Sequence, residues 1–286
     1  MKLTKSLIQF KPIYFLLFLI TICSCSGGDS GNDEQATCTK TCPSGFILDP
    51  NSCECEPEPC TKTCESGFTL NTENCECECT KTCPTGFTLN TTNCECEEDF
   101  VANVIEVEAE SVAVVEDWKE RTTVSDYSGD GYIIWEGPNQ FWKGAANIGA
   151  AGRLTYKINI PRAGTYQFQW RSYIGKVDPS NPNTEHNDSW LRLPDADDFY
   201  GKRDASIVYP KGSGKTPNPS GENGNGFFKI YMNTSNAWTW TSGTFDNNFH
   251  SIYARFDEAK EYTVEIAARS DHHAIDKFKL TEQEPE

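Results

Sequence analysis

The sequence predicts an all-β sandwich preceded by a small disulfide-rich repeat region, and three observations predict it. All fourteen cysteines of the 286-residue chain fall between Cys23 and Cys96, so the remaining C-terminal part has none. Twelve of them sit in three repeats of one spacing, C-x3-C-x10-C-x-C. From Phe100 onward, short runs rich in β-branched and aromatic residues are separated by clusters of Gly, Pro, Asn and Asp, the pattern of a sandwich or barrel. No helix longer than a turn or two is expected; Glu116–Arg121 comes nearest to one.

Lys2, Lys5 and Lys11 precede the apolar run Ile13–Ile22, which no acid interrupts. A basic start followed by an apolar stretch too short to span a bilayer comfortably is a secretory signal. Ile22-Cys23-Ser24-Cys25 resembles a bacterial lipobox, with an aliphatic residue at −3 and a small one before the cysteine. That resemblance makes Cys25 the lipidated residue and residues 1–24 the leader. Cys23 fits less well, because Ile22 would stand at −1. The alternative is an ordinary signal peptide and an odd cysteine. Residues 25–36, with the run SGGDSGNDE at Ser26–Glu34, are similar to the acidic tether of surface-exposed lipoproteins of Bacteroidetes. The implied location is the cell outer membrane, lipid-anchored and surface-exposed. Cleavage before Cys25 leaves an even twelve cysteines in the repeats.

The repeats occupy residues 38–55, 60–77 and 79–96 of the segment 37–99. Each carries a Gly-Phe (Gly45-Phe46, Gly67-Phe68, Gly86-Phe87), a Leu two residues later, and then an Asn/Asp/Thr turn. Units this small bury too little apolar surface to fold unaided, so disulfides must supply stability. Four cysteines allow three pairings. Cys-x-Cys neighbours are poor partners for each other, so each is expected to reach back to one of the first two, in an order left open. Zinc is the other use of clustered thiols, and an exported, oxidised setting disfavours it. The expected role is a stiff stalk, loosely similar to EGF-like spacer modules.

The net charge of −17 divides between the repeats, with three lysines against twelve acids in Thr37–Asp99, and Phe100–Glu286, with nineteen basic against twenty-seven acidic residues; the first 36 residues balance, three against three. No basic stripe appears, which argues against nucleic acid as a partner. The acidity favours solubility.

Within residues 100–282 the expected strands are Asn103–Val115, Gly131–Trp135, Gly152–Ile160, Thr165–Tyr173, Asp188–Leu193, Phe227–Met232, Ser251–Phe256, Tyr262–Ala268 and Ile275–Leu280, followed by a short tail, 283–286. Leu154, Tyr156 and Ile158 alternate onto one face. Trp170 is in phase with Phe168 and is assigned to the core, which turns Arg171 and Tyr173 outward. Lys211–Gly226, rich in Gly, Ser and Pro, is expected to be a long loop.

Three segments carry a family resemblance. Ile105–Glu110 (IEVEAE) looks like the opening strand of carbohydrate-binding module families 6 and 35. Leu154–Phe168 (LTYKINIPRAGTYQF) is similar to their paired central strands around a Φ-Pro-x-Ala-Gly-x-Tyr turn. Arg269–Leu280 (RSDHHAIDKFKL) resembles their last strand. The resemblance implies a galactose-binding-like jelly-roll β-sandwich. It also implies a structural calcium held by Glu108, Glu110 and Asp276. The chemistry agrees: calcium takes six to eight hard oxygens, and alternation puts Glu108 and Glu110 on one face. The other explanation is a solvated acidic edge strand.

A sugar site needs flat apolar faces with hydroxyl-binding groups around them. All seven tryptophans lie in this region. Asp188, Trp190 and Arg192 share one strand face, an odd set for a core, and with Arg171 and Tyr173 they make one wall of an expected ligand site; a buried ion pair under a packed Trp is the alternative. Trp238 and Trp240 set two indoles on one face, as platform or as packing. Ser270–His273 is the loop that helps form the binding site in the resembled families, so His272 or His273 can fill that role, and His272 joins the set; a solvated turn is the alternative. Trp142 and Asn147 flank Gly144 in a further loop.

Glu185, His186, Asp188, Asp195 and Asp197 also offer acids and a base for polysaccharide cleavage. They match no hydrolase or lyase motif, and the resembled modules are non-catalytic. The expectation is therefore a non-enzymatic, lipid-anchored protein that captures polysaccharide or oligosaccharide beside a glycan uptake complex. A jelly-roll lyase or hydrolase and a protein-binding adhesin are the alternatives.

Overall fold

The computed structural model describes residues 39–141, 143–176, 178, 180–221 and 224–285. The expected leader, Cys25, the tether, Cys38 and Trp142 lie outside the described residues. The chain divides into two compact units, one holding most of the repeats and the other Cys83–Thr88 with Cys96–Glu286.

Each repeat is a two-stranded antiparallel hairpin. Strands β1 (Phe46–Leu48) and β2 (Cys55–Pro57) form the first, β3 (Phe68–Asn71) and β4 (Glu76–Cys79) the second, and β5 (Phe87–Asn90) and β6 (Glu95–Glu98) the third. Among the described residues the bridges are Cys42–Cys55, Cys60–Cys75, Cys64–Cys77, Cys79–Cys94 and Cys83–Cys96. In the second and third repeats the order is therefore first to third and second to fourth. Those sulfurs cannot be zinc thiolates. A loop of about 15 residues closed by a disulfide gains roughly 3 kcal/mol, on the scale that a 20-residue unit needs.

The shared sequence signals have local causes. Gly45, Gly67 and Gly86 have φ of +86°, +96° and +87°, where a Cβ is strained. The side chains of Asp49, Asn71 and Asn90 each accept a hydrogen bond from the backbone N–H two residues on, which fixes the hairpin turn.

The larger unit is a two-layer β-sandwich. Its strands are β7 (Val104–Glu108), β8 (Trp118–Arg121), β9 (Tyr132–Trp135), β10 (Leu154–Asn159), β11 (Gly164–Ile174), β12 (Asp188–Arg192), β13 (Asp198–Arg203), β14 (Ser206–Val208), β15 (Phe228–Tyr231), β16 (Gly243–Thr244), β17 (His250–Phe256), β18 (Glu261–Ala267) and β19 (His273–Glu282). One layer runs β10-β18-β12-β15, the other β7-β19-β11-β17-β13, all antiparallel. The two-residue β16 pairs with both β15 and β17 and joins the layers at one edge. The sheet thus curls on itself, and β8 and β9 extend it from the start of β19.

Aromatic rings lock the layers together. Tyr156 meets Phe278 with centroids 5.0 Å apart, Phe256 meets Tyr262 at 4.5 Å, and Phe199 meets Phe228 at 5.0 Å. The first and third are edge-to-face, an arrangement that adds about 1 kcal/mol beyond burial. Strand β11 alternates as expected: Tyr166, Phe168 and Trp170 are fully buried, and Arg171 and Tyr173 face out. Tyr166 donates its hydroxyl proton to the Arg162 carbonyl (2.8 Å) across the Pro161–Gly164 turn.

Three expectations differ from the structure. Asn103–Val115 is a strand only over Val104–Glu108 and breaks into a single 3-10 turn at Ala109–Ser111, so Glu110 does not share a strand face with Glu108. Glu116–Arg121 ends in a strand, because Trp118 packs edge-on against Trp135 in a paired ladder. The hairpin β13–β14 lies between Asp188–Leu193 and Phe227–Met232, where no strand is expected. Tyr200 and Tyr253 stack across the β13–β17 pair, 5.7 Å apart.

Candidate functional site

The site is built where the start of β12 crosses the segment between β18 and β19. Asp188 begins β12, and antiparallel pairing with β15 sets it opposite Tyr231 and sets Trp190 opposite Lys229. Alternation points Asp188, Trp190, Lys229 and Tyr231 away from the inter-layer core. The Asp188 carboxylate is 3% exposed; it accepts from Arg269 Nη1 at 2.5 Å and from the Ser270 hydroxyl. The Ser270 backbone N–H donates to the Asp188 carbonyl as well. Two strand ends are thereby joined through one residue.

Arg269 is held between two rings, its guanidinium 4.7 Å from the Phe141 centroid and 5.1 Å from that of Trp190. It is 7% exposed, and its Nε is buried with no hydrogen-bond partner in the protein. Lys229, 6% exposed, pairs with Asp246 and lies over the Tyr231 ring. Burial, and then the Asp246 charge, pushes the Tyr231 phenol upward. Asn187 donates to the Met232 carbonyl and to Asn233 Oδ1. These groups line an open cleft of about 450 Å³ together with Thr184, Glu185 and Asn247. It offers paired charges of both signs, three amides and two aromatic rings, groups that can donate to and accept from hydroxyls while facing an apolar surface.

The residues expected from sequence fall into four neighbourhoods. Asp188 lines the cleft. Trp190 is 1% exposed, packed with Ile148 and Phe227, so it backs the cleft beneath Arg269 and shows no face to a ligand. Arg192 leaves this group: it donates to Glu265 at 2.6 Å and lies 4.5 Å over Phe227. Arg171 and Tyr173 stand elsewhere, both against the Trp238 ring. The structure does not join them to Asp188 because β11 and β12, consecutive in the chain, lie in opposite layers and face outward in opposite directions. Trp240 carries Lys279 Nζ 4.3 Å above its ring on the outer β11–β19 face. His272 belongs to the Ser270–His273 segment beside the cleft.

Sequence reasoning missed Arg269, Lys229, Asp246 and Phe141. One signal was present: Lys229 interrupts the otherwise apolar FFKIYM, in phase with Asp188 and Trp190 across the ladder.

The three expected calcium ligands lie around the Ser128–Gly129 turn but do not close on one point: among the described residues only His186, Asp271 and His272 bring three such ligand atoms within 4.8 Å of one another. A bulge between β11 and β19 leaves Asp276 as the extra residue, opposite the Arg171/Ser172 step, and turns its fully buried carboxylate towards Arg171 (2.6 Å). The Ser128 hydroxyl donates to Glu108 Oε2 (2.8 Å) and reaches Asp276 Oδ2 (3.1 Å), and the Ser128 N–H donates to Asp276 Oδ1. A Cβ on Gly129 (φ +62°) would stand 2.6 Å from Glu110 Oε1, so only glycine lets this loop wrap the carboxylates. Glu110 Oε2 is buried without a partner, and burial, against backbone N–H donors and with the Glu108 charge adding to it, raises the Glu110 pKa. The unspent oxygen of Glu110, beside Glu108, is a hard donor of the kind a divalent cation takes, while Arg171 and Ser128 already satisfy Asp276.

Fold and cleft define the larger unit as an all-β sandwich with a polar, aromatic-backed cleft at the loop end of β12. No family model and no curated protein sequence matches the chain. Among solved structures it is similar to a Podospora anserina GH26-CBM35 β-(1,4)-mannanase (13% identity, TM-score 0.37, 64% of this chain and 28% of that one). It is also similar to a Paenibacillus cycloisomaltooligosaccharide glucanotransferase complexed with cycloisomaltoheptaose (14%, 0.34, 61% and 18%). A third is the Arthrobacter globiformis T6 isomalto-dextranase complexed with panose (15%, 0.34, 62% and 23%). The chain spans less than a third of the length of each.

Proposed function

We propose that the chain is a lipid-anchored surface protein that captures a polysaccharide or oligosaccharide in the cleft between β12, β15 and the Arg269–Asp271 segment. One observation carries this reading: a guanidinium clamped between Phe141 and Trp190, with an unspent Nε, stands beside a second ion pair and three amides. Paired charges that are locally neutral favour a sugar whose hydroxyls both donate and accept, over a strongly charged polymer. Glu108, Glu110 and Asp276 hold a structural calcium that fixes β7 to β19. Cys25 carries the lipid, the repeats serve as spacer, and a glycan uptake complex is the natural partner.

Affinity electrophoresis against a panel of polysaccharides, with assays for new reducing ends and unsaturated products, tests this. The expected result is retardation by at least one glycan, no new ends, and at least a tenfold loss of affinity in Asp246→Asn. Retardation by none, or the appearance of new ends, would overturn it. Loss on Trp240→Ala with Asp246→Asn unaffected would move the site to the outer face of the sheet.

A further inference from the structure

Beside the cleft, His186, Asp271 and His272 bring two imidazoles and one carboxylate together, with one ligand-type atom from each within 4.8 Å of the others. Asp271 Oδ1 is 3.0 Å from His186 Nδ1, and Asp271 Oδ2 is 3.2 Å from His272 Nδ1. Bonds of about 2.0–2.1 Å in a tetrahedral zinc site put neighbouring ligand atoms roughly 3.3 Å apart. The carboxylate thus already stands at close to ligand-to-ligand spacing from both rings.

The local backbone is arranged to hold this geometry. His272 has φ +61°, a left-handed conformation uncommon for a residue with a side chain. It is pinned there by its own N–H to the Trp135 carbonyl (2.6 Å) and by the Gly175 N–H to its carbonyl (2.8 Å). The next residue, His273, points the other way, fully buried against Trp170 and Ser189. His186 is 3% exposed; its Nδ1 stands 2.8 Å from the Asp271 carbonyl, with a proton that a metal at Nδ1 must displace, and its Nε2 stands 3.3 Å from Asn181 Nδ2. The independent observation is Asp271 Oδ1, an oxygen sealed from solvent that accepts no hydrogen bond: His186 Nδ1, 3.0 Å away, is directed at the Asp271 carbonyl instead. A buried carboxylate oxygen without a donor is unfavourable, and a cation removes that cost.

We propose that His186, Asp271 and His272 form a site for a divalent transition metal of the zinc class, separate from the carboxylate site of Glu108, Glu110 and Asp276. Two imidazoles and one carboxylate suit zinc, whereas calcium prefers an oxygen cage. Three protein ligands leave a fourth position for water. The metal would tie His186, next to the cleft residues Asn187 and Asp188, to Asp271, which follows Arg269 and Ser270. It would therefore staple the two segments that wall the cleft.

The test is calorimetric titration of the full-length oxidised chain with Zn2+, with Co2+ as a spectroscopic probe and Mg2+ as control. One equivalent of Zn2+ should bind and raise the melting temperature, and Co2+ should give the visible absorption of a four-coordinate site. His272→Gln, on the solvent side of the cluster, should weaken Zn2+ binding at least tenfold, and Asp271→Asn should do the same should His186→Gln fail to fold. No stoichiometric uptake, or uptake that neither His272→Gln nor Asp271→Asn changes, would overturn the proposal. Metal uptake is read without any sugar, so its failure is distinguishable from failure of the glycan reading.

Discussion

Arg269 donates to Asp188 at 2.5 Å with both side chains more than nine-tenths buried, and this pair joins the end of β18 to the start of β12. Removing one partner of such a pair strands the other charge in a poorly solvated place, which costs about 3–5 kcal/mol. Asp188→Asn should therefore lower the unfolding free energy by an amount in that range. Urea denaturation followed by tryptophan fluorescence, sensitive to Trp190 beside the pair, measures it; an unchanged midpoint would show that the guanidinium is stabilised by its two rings alone.

The calcium proposed at Glu108, Glu110 and Asp276 carries a thermal prediction. A ligand at 100 times its dissociation constant stabilises by about 2.7 kcal/mol, roughly 5–10 °C for a unit of this size. Calcium should raise the melting temperature by that amount, and Glu110→Gln should abolish most of the rise. The metal-free protein has the opposite sign with pH. The Glu110 pKa is raised in the fold, chiefly by burial. Its contribution is therefore present below the ordinary carboxylate range and is lost as pH rises through the raised value. Differential scanning calorimetry with chelator and with calcium, between pH 4 and 7 (roughly the titration range of a raised carboxylate), checks both halves. Equal curves would remove the cation from this site.

Glu282 predicts the reverse slope. Its carboxylate is 5% exposed and accepts from Arg162 Nε (2.6 Å), Arg162 Nη2 (2.7 Å), and the backbone and side chain of Asn103. The Arg162 hydrogen bonds, foremost, hold its pKa below the usual glutamate value. The folded state thus binds this proton less readily than the unfolded chain. The stabilisation is complete above the unfolded pKa and is lost as pH falls through the lowered folded value. Glu282→Gln should cost about 1–2 kcal/mol at neutral pH and flatten the acid limb of a stability-versus-pH curve. An unchanged acid limb would assign that slope to other carboxylates.

Strand faces were legible in the sequence; the meeting of strands was not. Alternation along β11 placed Trp170 inward and Arg171 outward, and along β12 it put Asp188, Trp190 and Arg192 on one face. Period 2 states which side of its own sheet a residue faces but not which layer the strand joins. That is why Arg171 and Asp188, grouped on polarity, lie in opposite layers. Asp276 was legible as polar at the end of the chain, yet its turn towards Arg171 depends on a bulge against β11 that no local pattern shows. Arg269 was hidden for a related reason: its significance rests on Phe141, far away in sequence, covering one face of its guanidinium.

The repeats give a prediction that separates the two parts of the chain. Every cysteine lies before Cys96 or at it, and every tryptophan lies at or after Trp118. The hairpins are short, and their apolar residues are poorly covered: Phe46 is 45% exposed and Phe87 41%. Without their bridges, strands of three or four residues have neither the length nor the core to persist. Reduction should therefore collapse the backbone structure of the repeats while leaving the sandwich intact. Tryptophan fluorescence and near-ultraviolet circular dichroism should be almost unchanged on adding reductant, while amide hydrogen exchange across residues 43–98 should rise to that of an unfolded chain. Slow exchange persisting in the reduced hairpins would mean that packing, and not the bridges, holds them.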